Sequence, residues 1–147
     1  MKTLKKSLIP IFLAAFNGIA LAQLPESKIV ASDAAASDQF GRSVAIDGDY
    51  AIVGANGDDD VGYLSGSAYI FKRNGTEWSQ EDKIVASDAA NQDYLGFSVA
   101  ISGDYAIVGA YLDDDGGSNS GSAYIFKRNG TEWSQEDKIV ASDAANQ

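Results

Sequence analysis

The sequence predicts an all-β fold made of β-propeller blades, each a meander of four antiparallel strands. Three observations carry that reading. One unit is written twice: Lys28 to Asp82 and Lys83 to Asp137 align without insertion at a period of 55, with 44 of 55 positions identical. Each unit holds four short runs rich in β-branched and aromatic residues separated by Gly-containing turns, and no stretch sustains a helical period. A four-stranded unit repeated at about 40 to 60 residues is what a propeller blade looks like in sequence.

The N-terminal segment comes first. Lys2, Lys5 and Lys6 precede an apolar run from Leu8 to Phe16, and Ala20-Leu21-Ala22 offers a small-x-small cleavage pattern before Gln23. Residues 1–22 therefore read as a signal peptide, and residues 23–147 as an exported chain that is secreted, periplasmic or at the cell surface. Pro10, Asn17 and Gly18 interrupt the run, which is too short to cross roughly 30 Å of hydrocarbon. No membrane span is expected after cleavage, and losing three Lys takes the formal charge from −10 to −13.

In the first unit (28–82), strand a is Ser43 to Ile46 and strand b Tyr50 to Gly54, around the turn Asp47-Gly48. An acidic loop, Asn56 to Gly66, leads to strand c, Ser67 to Arg73, and Asn74-Gly75 turns the chain into strand d, about Trp78 to Ala86. The second unit (83–137) repeats this with Ser102-Gly103 and Asn129-Gly130. Leu24 to Ala31 matches only the end of strand d, so a leading strand is expected before two complete blades, while residues 138–147 begin a third unit that stops in mid-connector at Gln147. Propellers close with about 4 to 8 blades. The chain is accordingly expected to be a fragment of a six- or seven-bladed ring, closed by further blades or by self-association.

Phe40-Gly41-Arg42-Ser43-Val44-Ala45-Ile46 followed by Asp49-Tyr50-Ala51-Ile52-Val53-Gly54-Ala55 resembles the FG-GAP repeat of the integrin α-subunit propeller and its bacterial relatives. The second unit opens with Leu95-Gly96-Phe97-Ser98 and closes with Gly109-Ala110, and neither unit has Pro after Gly-Ala, where Asn56 and Tyr111 stand. The resemblance implies a non-catalytic binding or adhesion scaffold whose partner is a protein or glycan at the cell surface. The alternative is a carrier propeller for a larger secreted enzyme whose catalytic module lies outside this chain. Some integrin blades bind calcium through an Asp-x-Asp-x-Asp-Gly loop between strands a and b. Here that place holds Ile46-Asp47-Gly48-Asp49 and Ile101-Ser102-Gly103-Asp104, so those ligands do not carry over.

Composition narrows the chemistry. Without Cys or His there is no thiol nucleophile, Cys-zinc site or imidazole for a catalytic triad. A formal charge of −10 repels phosphate backbones, so nucleic acid is not an expected partner. Glu77, Glu81 and Asp82 read as solvated strand-edge acids, Asn74-Gly75-Thr76 and Asn129-Gly130-Thr131 as hairpin turns rather than glycosylation acceptors, and Trp78, Trp133, Tyr69, Phe71, Tyr124 and Phe126 as packing between blades.

Two sets of candidate site residues remain. Asp58, Asp59 and Asp60, with Asp113, Asp114 and Asp115, are candidate metal ligands, because calcium takes six to eight oxygens and adjacent carboxylates supply part of such a set. Val61 occupies the glycine position of a calcium loop, and a solvated Asp/Gly turn is the competing reading. Calcium is the only cofactor these residues suggest. The second set follows from the differences between units. Of the eleven, all but Asp47 fall in the d-to-a connector or the b-to-c loop, which a meander places at one end of the strands. That makes the acidic end the expected partner face, with Tyr63, Leu64, Tyr111 and Leu112 as candidate contacts.

Overall fold

The computed structural model describes residues 26–144; the expected signal peptide lies outside them. The described residues form eight strands and no helix: β1 (Ser43–Asp47), β2 (Tyr50–Ala55), β3 (Ser67–Asn74), β4 (Glu77–Ile84), β5 (Leu95–Ser102), β6 (Tyr105–Ala110), β7 (Ser122–Asn129) and β8 (Glu132–Val140). They make two four-stranded antiparallel sheets, β1-β2-β3-β4 and β5-β6-β7-β8, the expected meanders. The two sheets do not close a ring.

Strand d carries a bulge in both blades. Phe71 pairs with Gln80 and Ile70 with Asp82, leaving Glu81 as the extra residue, and Glu136 repeats this in the second sheet. The Glu81 side chain is only 7% exposed, beside Lys72 at 3.6 Å. Its neighbour Asp82 accepts a hydrogen bond from the Trp133 backbone N–H at 2.7 Å, across the gap between sheets. The expected solvated edge is thus partly structural.

The leading segment differs from expectation. Ile84 and Ile139 pair with Ala68 and Ala123 of their own strand c. The equivalent Ile29 has no such neighbour, and Lys28 to Ala31 is not a strand. Ile29 and Ala31 instead pack, with Phe40, on Val53, Ala55, Tyr69 and Phe71 of the first sheet.

The larger core lies between the sheets. Ile52, Ala68, Ile70 and Ile84 on one face of the first sheet meet Leu95, Ala106, Val108, Tyr124, Phe126 and Trp133 on the opposite face of the second, with Ala86 of the connector inserted. Of the aromatics expected to pack between blades, Tyr124, Phe126 and Trp133 do so, whereas Tyr69, Phe71 and Trp78 pack on the leading segment of their own blade instead. Gly96 sets the closeness of the seam. Its φ is +87°, and a Cβ there would lie 2.1 Å from the Ser67 carbonyl oxygen. Ser43 Oγ donates to the Gly96 carbonyl at 2.8 Å, while a Cβ at Gly54 would stand 2.0 Å from that same oxygen. The opening glycine of one unit is therefore pressed against the Gly-Ala that closes the strand pair of the unit before it.

Candidate functional site

The connector and the b-to-c loop meet at one end of the strands. Gly57 N–H donates to the Asp38 carbonyl within the first blade, and the backbone N–H groups of Gln92, Tyr94 and Leu95 donate to the carbonyls of Tyr63, Leu64 and Ser65 across the seam. Asn91 Oδ1 accepts from the Tyr63 N–H at 3.0 Å. At the other end Arg73 holds Asp49 and Arg128 holds Asp104, tying the c-d end to the a-b turn in each blade.

The acidic triplets are organised around a lysine. Lys83 Nζ lies 2.8 Å from Asp33, 2.8 Å from Asp58 and 2.7 Å from Asp60. Asp58 is buried and its carboxylate also accepts from Ser67 Oγ and Tyr69 OH, each at 2.8 Å, and from the Asp60 N–H at 3.0 Å. The second blade repeats the arrangement. Lys138 Nζ reaches Asp88, Asp113 and Asp115 at 2.8, 2.9 and 2.5 Å, and Ser122 and Tyr124 donate to Asp113. Burial by itself would raise the Asp58 and Asp113 carboxyls, but the lysine and the other donors hold both below the ordinary carboxylate range. Burial likewise works against the charged lysines, and the surrounding carboxylates override it, keeping both above the ordinary lysine value.

This donor set does not fit calcium. The point on which the three carboxylates converge is taken by an ammonium group, which shares none of the acceptor chemistry of a calcium ligand. Asp59 and Asp114 are exposed and make none of these bonds. Among the described residues no group of three or more Asp, Glu, His or Cys is arranged to hold a metal ion.

The four candidate contact residues separate. Tyr63 is 63% exposed, whereas Leu64, at φ +54°, is half-buried and its carbonyl is tied to the next connector. Tyr111 is exposed but packs on Phe97 and Tyr94, at 4.4 and 5.5 Å between ring centres. Leu112 is half-buried beside it. The Arg42 guanidinium of the first blade sits 4.5 Å above the Phe97 ring. The sequence reading missed Arg42, Tyr94 and Phe97 as members of this patch. Their signal was present, since each stands at a position where the two units differ.

Residues 25–71 and 78–126 match the FG-GAP repeat family, each match running from before a connector into the following strand c. No curated protein sequence matches the chain.

Proposed function

The chain belongs to the FG-GAP repeat family, and we propose that it is an exported, non-catalytic binding scaffold that captures a protein or glycan partner at the cell surface through the loop end of its blades. The observation that carries this is the patch of Tyr94, Phe97 and Tyr111 with Arg42, standing where the units differ and flanked by exposed Tyr63. Loops on a rigid scaffold are where such variation serves recognition, and aromatic and arginine side chains supply most interface energy. Each lysine offsets one of the three carboxylates it holds, so the end stays acidic and favours basic partners over polyanions. Calcium has no part in this reading, because Lys83 and Lys138 already occupy the points on which the carboxylates converge.

The test is binding of the exported chain to an array of extracellular glycans and basic proteins. Replacing Tyr63 and Tyr111 together by Ser should weaken any captured partner at least tenfold, a loss of about 1.4 kcal/mol. Replacing Lys72 and Lys127 by Gln, at the opposite end, should leave binding unchanged. The reverse pattern would move the binding face to the turn end.

A further inference from the structure

Two apolar patches remain exposed at opposite ends of the two-sheet stack. On the first sheet Val44 and Ile46 are 67% and 66% exposed, and on the second Ile107 and Ile139 are 40% and 46% exposed. Each has a buried or half-buried counterpart at the same position of the other blade. Val99 and Ile101 correspond to Val44 and Ile46, and Ile52 and Ile84 correspond to Ile107 and Ile139. Those counterparts pack together in the core between the sheets. The two free patches match parts of an interface that the chain already forms once, the rest of the first half being covered by Ile29, Ala31 and Phe40.

We propose that the free face of β5 to β8 docks the β1 face of a second copy of this chain, head to tail, repeating the internal seam. The polar contacts carry over with the same residue types. Ser98 Oγ would donate to the Gly41 carbonyl of the second copy as Ser43 does to Gly96, and Gly41 and Gly109 leave room for the same close approach, Gly41 having nothing within 4 Å of an added Cβ. Tyr105 would receive Arg73 of the second copy as Tyr50 receives Arg128 at 2.9 Å. Asp137 would accept the Trp78 N–H as Asp82 accepts that of Trp133. The variable pair is also compatible, because Phe97 would stack on Arg42 of the second copy as Arg42 stacks on Phe97 within the chain. Two bonds do not carry over: Ser at position 102 replaces the Asp47 that holds the Gly103 N–H at 2.7 Å, and Ala36 replaces the Asn91 that accepts from Tyr63 at 3.0 Å. Ile29, Ala31, Ser32 and Asp33 of the second copy hold the places that Ile139, Ala141, Ser142 and Asp143 would take, and must move aside on docking.

Such a contact is heterologous, joining unlike surfaces, and it closes a ring only if the rotation between copies allows it. Copies that each bring the two described blades would build rings of four, six or eight blades, within the range that propellers adopt. Three copies would make six blades.

The experiment is analytical ultracentrifugation of the chain produced by export from a bacterial host. The expected result is a closed assembly of three copies. Val44→Lys and Ile107→Lys, each on the surface of the isolated chain, should each give monomers with an unchanged circular dichroism spectrum. Mixing the two variants should then yield a one-to-one dimer, since together they retain one intact pair of faces. Two or four copies with the same variant behaviour would support the docking mode at another blade number. A wild-type monomer, an assembly that survives either substitution, or a mixture that stays monomeric would overturn it. A face that instead takes a further repeat of a longer chain or a different partner gives the first of those results. Because the readout is mass, failure here leaves the loop-end binding test untouched.

Discussion

The two blades share an unbroken identical stretch, Ser65 to Gln92 against Ser120 to Gln147, and still differ in what those residues do. Ile70 and Ile84 are core residues, while Ile125 and Ile139 line an open face. The difference lies in place and not in sequence, because the isoleucine face of a blade is buried by the blade that follows it. Most of the packing energy of this chain is therefore interfacial, as repeat architectures require.

The strongest way to sharpen that contrast uses the opening glycines. Gly41 and Gly96 both have positive φ, +92° and +87°, but only a Cβ at Gly96 would collide with backbone of the neighbouring blade. Gly41→Ala should cost about 1–2 kcal/mol for the left-handed backbone alone. Gly96→Ala carries that cost and must also spread the seam, and should lower stability by more than about 4 kcal/mol, in the range reserved for severe core disruption. Chemical denaturation of both variants decides this, and equal losses would mean that the seam is not the tight element.

Next in size is the isoleucine pair. Ile52→Ala removes a fully buried side chain and should cost about 3 kcal/mol, within the span for large-to-small core changes. Ile107→Ala, the same chemical change at the equivalent position, should cost under about 1 kcal/mol in a dilute monomer. The gap should narrow as protein concentration rises if copies dock head to tail, because Ile107 is then buried as well.

How much of this could be read in advance follows from which interactions are local. Strands and hairpin turns were legible because Asp47-Gly48 and Asn74-Gly75 mark turns within a few residues, and alternation marks the strands between them. The bulge at Glu81 was not, since one extra residue in a ladder leaves no compositional trace. The leading segment had the composition of strand d but not its ladder partner, so Lys28 to Ala31 pack without pairing. In the candidate site the acidic residues were visible and their partner was not. Lys83 is 25 residues from Asp58 and 50 from Asp33, and its recurrence served only to mark the repeat. The aromatic patch was half legible, because the differing positions 39, 42 and 56 hold Gln, Arg and Asn in one unit and Tyr, Phe and Tyr in the other. Only the fold brings Phe97 under Arg42 and Tyr111 against Phe97 and Tyr94.

The lysine is also where the two blades agree, and a third copy of it provides the control. Lys83 and Lys138 are each surrounded by three carboxylates, whereas Lys28 is exposed. Asp33, Asp58, Asp88 and Asp113 are held below their ordinary value of 3.8, against burial that would raise them, chiefly by hydrogen bonds from these lysines. A carboxyl whose folded pKa is depressed stabilises the fold at pH above its unfolded value and loses that contribution as pH falls through the folded one. The two lysines, raised above 10.5, contribute fully below that value and lose it as pH rises beyond it. Asp93 runs the other way, raised by burial and by the charges of Asp113 and Asp114, and offsets part of the acid-side effect in the second blade. Thermal melts should therefore be flat between about pH 5 and 9 and fall below about 4 and above about 10. Lys83→Met should flatten the acid limb, because Asp33 and Asp58 lose the donor that depresses them, and Lys28→Met should leave the whole profile as it is. An acid limb unchanged by Lys83→Met would show that hydroxyl and backbone donors alone hold Asp58 ionised.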